Sequence, residues 1–180
     1  MPVPTVLHPA HSPAGGLSGW FDLSWELFGE LCRALAVRVA QDFQPELVIG
    51  LATAGVVPAA TVATMLQCDF EAMKVTRREH GRVAHAYPRV LSPTPVSARG
   101  RRVLIVDEIS TSGDTLRLAL AAVREVGPAA VRTATSFVRP GGYRPDFHAL
   151  ETGSLIVFPW DQQVIEGGGL VPGAMYTPQA

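Results

Sequence analysis

The stretch RRVLIVDEISTSGDTL, residues 101–116, decides the fold. Its apolar run from Val103 to Val106 is typical of an interior strand in a parallel sheet. Two carboxylates, Asp107 and Glu108, follow this run directly, and the residues after Ile109 are almost all small and polar. The pattern predicts a buried strand that ends in a compact polar turn, which then leads into a helix.

The rest of the chain alternates between strand and helix patterns. This alternation is typical of an α/β fold, in which helices flank a central parallel sheet and the crossovers are right-handed. The predicted strands cover residues 46–51, 70–77, 102–107, 130–138 and 154–160, and the predicted helices run from about Asp22 to Gln41, over 58–67, and from Leu116 to the Gly127–Pro128 stop.

Length and composition indicate one domain over residues 1–180, in which residues 1–19, rich in Pro, Gly and Ser, form an N-terminal arm. The chain is 47% hydrophobic, enough for a large core, and its net charge of −1 does not favour a nucleic-acid partner. Cys32 and Cys68 lack metal or redox spacing, so we expect reduced thiols and a cytoplasmic protein. The uncharged segment 47–68 is interrupted by Gly and Pro, and no signal-peptide pattern occurs; we expect no membrane association.

Residues 78–100 have no strong period, which indicates a long loop or a flexible hairpin. Eight of the 15 Lys and Arg residues lie between Lys74 and Arg102, whereas Glu79 is the single acid between positions 73 and 106. A basic flap of this kind can cover an anionic ligand and open again to release it. A solvated charged loop is the alternative; a nucleic-acid surface is disfavoured because only Tyr87 interrupts the arginines.

The polar turn after Glu108 has the properties of an anion site. In open α/β sheets, ligands bind beyond the carboxyl ends of the strands. Small side chains let backbone N–H groups approach an anion, and the N-terminus of the next helix favours negative charge. Because Asp107 and Glu108 would repel a phosphate, we expect them to accept hydrogen bonds from sugar hydroxyls or to help hold Mg²⁺. An ordinary loop capped by Asp114 would explain the small residues but not the adjacent acids.

Several segments resemble the type I phosphoribosyltransferases. VLIVDEISTSGDTL (103–116) resembles the family's motif for phosphoribosyl diphosphate (PRPP): an apolar strand, two acids, a small polar loop, Gly and Thr. The resemblance implies a Rossmann-like phosphoribosyltransferase fold with a small hood over about residues 139–180. The other matching segments are VIGLATAGVVPAA (48–60) for the pyrophosphate loop, RREHG (77–81) for the flap, and FVRPGGYRPDF (137–147) with LIVFPWD (155–161) for the hood of 6-oxopurine enzymes, especially the xanthine-guanine type.

The resemblance also implies roles for individual residues. Asp107 and Glu108 would be the catalytic acids, holding the ribose hydroxyls of PRPP near Mg²⁺, and Asp161 would lie near a second metal ion. Arg139 would contact the exocyclic oxygen of the base. The remaining implied substrate-binding residues are Ser110, Thr111, Ser112, Gly113, Asp114 and Thr115 for the 5-phosphate; Thr53, Ala54 and Gly55 for the pyrophosphate; Arg77 and Arg78 in the flap; and Leu155 and Ile156 in the hood.

The implied reaction transfers the 5-phosphoribosyl group of PRPP to a nucleobase and releases pyrophosphate, with a 6-oxopurine in salvage as the first expectation. Thr111 stands where purine enzymes carry a proton-accepting Asp, and Leu155 where they carry an aromatic residue that stacks on the base. ATAG (52–55) and the EHG of the flap look more like orotate phosphoribosyltransferases. An orotate-type enzyme and a non-catalytic relative that binds PRPP or a nucleotide therefore remain alternatives. The family also implies a homodimer.

Overall fold

The computed structural model describes residues 19–79 and 82–173, so the expected arm over 1–19 lies almost wholly outside the described residues. The helices are α1 (Trp25–Asp42), α2 (Val56–Leu66) and α3 (Asp114–Val126). The strands are β1 (Trp20–Asp22), β2 (Leu47–Ala52), β3 (Asp69–Thr76), β4 (Arg78–Glu79), β5 (Arg82–Val83), β6 (Arg89–Val90), β7 (Arg102–Ser110), β8 (Ala130–Val138), β9 (Phe147–Glu151), β10 (Leu155–Val157), β11 (Gln163–Glu166) and β12 (Gly169–Pro172).

A six-stranded sheet in the order β6-β3-β2-β7-β8-β9 forms the centre of the fold. All neighbouring strands in it are parallel except the edge pair β3 and β6, which is antiparallel. The apolar runs of β2 and β7 are fully buried, as expected for strands covered on both faces. The predicted α/β class with a parallel sheet flanked by helices is confirmed.

Successive residues of the central strands pack on opposite faces of the sheet. Val48 and Leu104 belong to the hydrophobic cluster under α1 and α2, whereas Leu47 and Ile105 belong to the cluster under α3. This alternation follows from the two-residue period of a strand. The layered packing fixes the carboxyl end of β7, where the polar turn begins, between β2 and β8.

The predicted helix from about Asp22 begins instead at Trp25. Ser24 caps it, because its side-chain oxygen accepts a hydrogen bond from the Leu27 N–H at 3.2 Å. Residues Trp20–Asp22 form the strand β1, which was not predicted because the apolar residues that follow recur at helical spacing. The other two helices lie close to their predicted positions.

The hood differs from the prediction in two respects. The strand expected over 154–160 is limited to β10, Leu155–Val157, which pairs with β1 rather than with the central sheet. β10 ends two residues before Pro159, which has no backbone N–H to donate to a neighbouring strand. The missed strand β9 (Phe147–Glu151) extends the central sheet although it lies within the expected hood range. Within the predicted loop or hairpin over residues 78–100, β4 and β5 pair in antiparallel orientation, and residues 80 and 81 lie outside the described residues. In the described part of the chain, no helix is long and apolar enough to span a membrane.

Candidate active site

A cleft of about 130 Å³ lies at the carboxyl end of β7. It brings together Asp107 of the acid pair, the polar turn and the beginning of the flap, as the sequence predicts for an anion site. Its lining residues are Arg77, Pro88, Asp107, Ile109 and residues 110–116. Arg77 is the flap residue in contact with this cleft, so a cation faces the turn that is expected to bind phosphate.

The two acids lie inside β7 rather than at its tip, because the strand continues to Ser110. Asp107 is buried, with 9% of its surface exposed, and Glu108 is half-buried. The Glu108 N–H donates to Asp107 Oδ1 at 3.1 Å. Burial, followed by the nearby charge of Glu108, raises the pKa of Asp107 well above its usual range. A cation or a set of hydroxyl donors at this site would favour the ionised form of Asp107.

The polar turn, residues 111–113, leads into α3 with its backbone amides available. Within the described residues, no backbone hydrogen-bond acceptor is found for the N–H groups of Thr111, Ser112 and Gly113. Gly113 has a φ of +79°, a left-handed conformation that favours glycine, and it directly precedes the first residue of α3. Free amides next to a helix N-terminus form the geometry that binds anions.

The Ser110 hydroxyl has a hydrogen-bond partner within the protein. Its side chain is buried, and its hydroxyl donates to the Tyr143 carbonyl oxygen at 2.7 Å. Ser112 donates to Asp114 Oδ2 at 2.9 Å, and both of these residues are exposed. The Ser110 hydroxyl is therefore used within the protein, and the remaining candidates for phosphate contact lie from Thr111 onward.

Residues 139–143, here called the clamp segment, hold the polar turn in place. The Arg139 N–H donates to the Ser110 carbonyl oxygen at 3.0 Å, and the Tyr143 N–H donates to the Thr111 carbonyl oxygen at 2.8 Å. Together with the Ser110 hydroxyl bond, these contacts fix both ends of the segment against β7 and the turn. Hydrogen bonds within the protein therefore determine the shape of the turn.

The side chains of Tyr143 and Arg117 complete this support. A Cβ added to Gly113 would lie 2.5 Å from Cδ1 of the Tyr143 ring, so the ring packs directly on the glycine. The Arg117 guanidinium lies 4.5 Å from the centre of the same ring and donates to the Ser112 carbonyl oxygen at 2.9 Å. Sequence reasoning missed both residues; the available signal was the double glycine before Tyr143, which allows a close approach to the turn.

The expected pyrophosphate loop lies against the acid pair. The peptide bond between Ala52 and Thr53 is cis, Thr53 is exposed, and Ala54 is half-buried. Gly55 is buried, and a Cβ added there would lie 2.5 Å from Asp107 Oδ1. The loop at the end of β2 and the acids of β7 are therefore in contact, as binding of one substrate across both loops requires.

Asp161 interacts electrostatically with the same region. Burial raises the pKa of Asp161, Glu108 raises it further, and Arg78 lowers it. The hood, the acid pair and the flap are thus close enough for their charges to interact. Among residues 19–79 and 82–173, however, no group of three or more His, Cys, Asp or Glu side chains is placed to hold a metal ion. The assignment of Asp107, Glu108 and Asp161 as metal ligands stays a prediction that requires substrate oxygens as additional ligands.

Arg139 connects the polar turn to the hood. Its guanidinium donates to the carbonyl oxygen of Ser154, the residue before β10, and partial burial lowers its pKa. Leu155 is half-buried, whereas Ile156 is buried and opposite Phe21 of β1. The predicted base-side residues Arg139, Leu155 and Ile156 are therefore grouped around the start of β10.

A parallel sheet with unpaired backbone amides in the turn after an inner strand, and two acids near the carboxyl end of that strand, is typical of α/β proteins that bind phosphorylated ligands. The family model described as "Phosphoribosyl transferase domain" matches residues 23–166, and the chain belongs to this family. Membership confirms the expected resemblance and the class of enzyme, a glycosyltransferase that transfers a phosphoribosyl group.

Relatives and solved structures agree with this membership. A xanthine-guanine phosphoribosyltransferase of Nitratidesulfovibrio vulgaris is 32% identical over 149 residues, which cover 80% of this chain and 86% of the relative. The enzyme of the same name from Gluconobacter oxydans is 28% identical, with 77% and 83% covered. The crystal structure of a purine phosphoribosyltransferase from Pyrococcus horikoshii aligns with a TM-score of 0.69 and 27% identity over 82% of this chain and 98% of that one.

Proposed function

We propose that the protein transfers the 5-phosphoribosyl group of PRPP to a 6-oxopurine, with release of pyrophosphate, as a step of nucleotide salvage. The observation that carries the proposal is the acid pair of β7 followed by a turn with free amides, in contact with the loop after β2. The similarity to xanthine-guanine enzymes favours a purine over orotate as the acceptor. A cytoplasmic homodimer without nucleic-acid partners stays the expectation from the family.

PRPP would bind across the two loops. The amides of Thr111, Ser112 and Gly113, at the N-terminus of α3, would hold the 5-phosphate. Asp107 and Glu108 would accept hydrogen bonds from the ribose hydroxyls, which orients the sugar and exposes its C1 atom to the base. The pyrophosphate would lie near residues 53–55, with Arg77 and Arg78 of the flap neutralising part of its charge.

Mg²⁺ fits the chemistry of this site. Asp107 is buried beside Glu108, its pKa is raised as a result, and carboxylate oxygens are the ligands that Mg²⁺ prefers in proteins. We propose that Asp107 and Glu108, and Asp161 for a second ion, hold Mg²⁺ together with oxygens of PRPP. When bound, the ion would supply charge neutralisation to the leaving pyrophosphate.

The reaction itself needs no protein nucleophile. A ring nitrogen of the purine forms a bond to C1 of the ribose, while the bond from C1 to the pyrophosphate oxygen breaks and its electron pair leaves with pyrophosphate. The proton of the attacking nitrogen must pass to a group other than Thr111, because a hydroxyl does not act as a base near neutral pH. Arg139 would donate to the exocyclic oxygen of the base. The chain's contribution is therefore mainly positioning, charge complementarity and exclusion of water.

The test is a screen for pyrophosphate release with PRPP, Mg²⁺ and each of hypoxanthine, guanine, xanthine, adenine, orotate and uracil. We expect release with one or more of the three 6-oxopurines. Release with orotate alone would contradict the proposal in favour of the orotate alternative. Tight PRPP binding without release for any base would contradict it in favour of a non-catalytic relative. Asp107→Asn is the matched control for contaminating activity.

A further inference from the structure

Trp20 has a position that its role in packing does not explain. It lies in β1, and 62% of its surface is exposed. β1 pairs in parallel with β10, and Trp20 is opposite Leu155 in that register. The Leu155 N–H donates to the Gly19 carbonyl oxygen, and the Leu23 N–H donates to the Val157 carbonyl oxygen, both at 3.0 Å. The strand that carries Trp20 is therefore fixed to the hood by backbone hydrogen bonds on both sides of the residue.

The register places the Trp20 and Leu155 side chains on one face of this two-stranded sheet. Residues opposite each other on neighbouring strands project to the same face, and the next pair projects to the other. That next pair is Phe21 and Ile156: Ile156 is 4% exposed, and Phe21 contacts the Phe137 ring edge-on with centroids 6.3 Å apart. Phe21 and Ile156 thus pack on the core, which leaves Trp20 and Leu155 on the outer face.

A cationic side chain, that of Arg139, contacts the chain just before the first residue of β10. Arg139, whose N–H is bound to the carboxyl end of β7, donates its guanidinium hydrogen bond to Ser154, directly before Leu155. A donor group, an aliphatic side chain and an exposed indole therefore surround one strand end, and the Arg139 backbone connects that end to the polar turn. Such a combination suits a flat heteroaromatic ring that carries an exocyclic oxygen.

We propose that Trp20 is a base-binding residue, whose indole provides the aromatic surface beside Leu155 against which the purine packs. The inference rests on the proposed function. In consequence, the N-terminal strand takes part in base recognition, while the polar turn and the acid pair recognise PRPP. Loss of the indole should weaken binding of the base without affecting the PRPP site.

The test compares Trp20→Ala, Trp20→Phe and the wild-type protein with the purine that the screen identifies. For Trp20→Ala we expect the KM for the base to rise about tenfold, the order expected from loss of one base-aromatic stacking contact. We expect kcat, the KM for PRPP and the thermal midpoint to change little, and Trp20→Phe to restore most of the affinity because it keeps a ring.

Tryptophan fluorescence gives an independent readout with GMP as the probe. Titration of the wild-type protein with GMP should change the emission, and Trp20→Phe should lose most of that change. Trp25→Phe is the matched control: Trp25 is 56% exposed but packs on Phe28 and Trp160, so its variant should keep the response.

An unchanged KM for the base in an active Trp20→Ala protein would overturn the inference and leave the proposed function intact. A parallel rise in both KM values, together with a lower thermal midpoint, would also overturn it, because it would indicate a purely structural role. Failure of the wild-type protein to use any purine would instead be the failure of the proposed function, and the inference would fall with it.

Discussion

Substitution of Gly113 by alanine tests whether the shape of the polar turn depends on Tyr143. Gly113 has a φ of +79°, and its new Cβ would overlap the Tyr143 side chain, with Cδ1 of the ring 2.5 Å away and Cγ and Cβ still closer. The left-handed conformation costs about 1 to 2 kcal/mol for a residue with a Cβ, and overpacking costs about 1 to 3 kcal/mol. Arg117 stacks on the same ring and restricts its movement. We therefore expect a loss of about 2 to 5 kcal/mol in the free energy of unfolding, if the turn keeps its shape.

In a chain of this size, such a loss lowers the thermal midpoint by about 4 to 20 °C, which differential scanning calorimetry measures directly. If the turn moves instead, the stability loss will be smaller and the KM for PRPP will rise. Gly141→Ala is the matched control, because Gly141 also has a positive φ, +73°, but no atom lies within 4 Å of its Cβ position. The difference between the two variants isolates the contact with Tyr143.

A double variant measures the energetic coupling between residues 113 and 143. Gly113→Ala combined with Tyr143→Gly removes the overlap, because the new Cβ of residue 113 meets both the ring and the Cβ of Tyr143 and glycine has neither. The two substitutions should therefore show a coupling of at least about 1 kcal/mol. Equal effects of Gly113→Ala and Gly141→Ala on both the thermal midpoint and the KM for PRPP would refute the reasoning.

Two further predictions concern the acids and the support of the turn. The folded-state pKa of Asp107 is raised, so ionisation of Asp107 removes stability as the pH rises through that pKa. Asp107→Asn should therefore be at least as heat-stable as wild type near neutral pH while its kcat falls by a factor of about 100 or more; a variant that loses stability and activity together would contradict this. Arg117→Ala removes the stacking on Tyr143 and the hydrogen bond to Ser112, so steady-state kinetics should show a KM for PRPP about three- to tenfold higher with the KM for the base unchanged. An equal rise in both KM values would count against a role specific to the turn.

The centre of the fold was predictable because its signals are local. Residues 103–106 and 133–138 are buried on both faces of the sheet, and such strand segments contain runs of apolar or small residues. The sequence did not reveal the strand β9, because its segment FHALE is short and mixes polar with apolar residues. The length of β10 was overestimated, because the apolar run in the sequence continues past Val157, where the strand ends.

In the candidate site, too, the residues with local sequence signals were predictable and those placed by long-range packing were not. Asp107, Glu108 and the polar turn are consecutive in sequence, so their proximity follows from the strand and turn alone. Arg117 and Tyr143 support the turn through contacts that only the packing of α3 and the clamp segment brings about. The burial of Ser110 likewise depends on a partner 33 residues away. The residues proposed to bind the ligand were thus easier to place from the sequence than the residues that hold the turn in position.

A crystal structure of the protein with PRPP and Mg²⁺ tests the central claim most directly. We expect the 5-phosphate within hydrogen-bond distance of the backbone N–H groups of Thr111, Ser112 and Gly113, and the ribose hydroxyls at the carboxylates of Asp107 and Glu108. PRPP bound elsewhere on the protein, with these amides facing solvent, would contradict it.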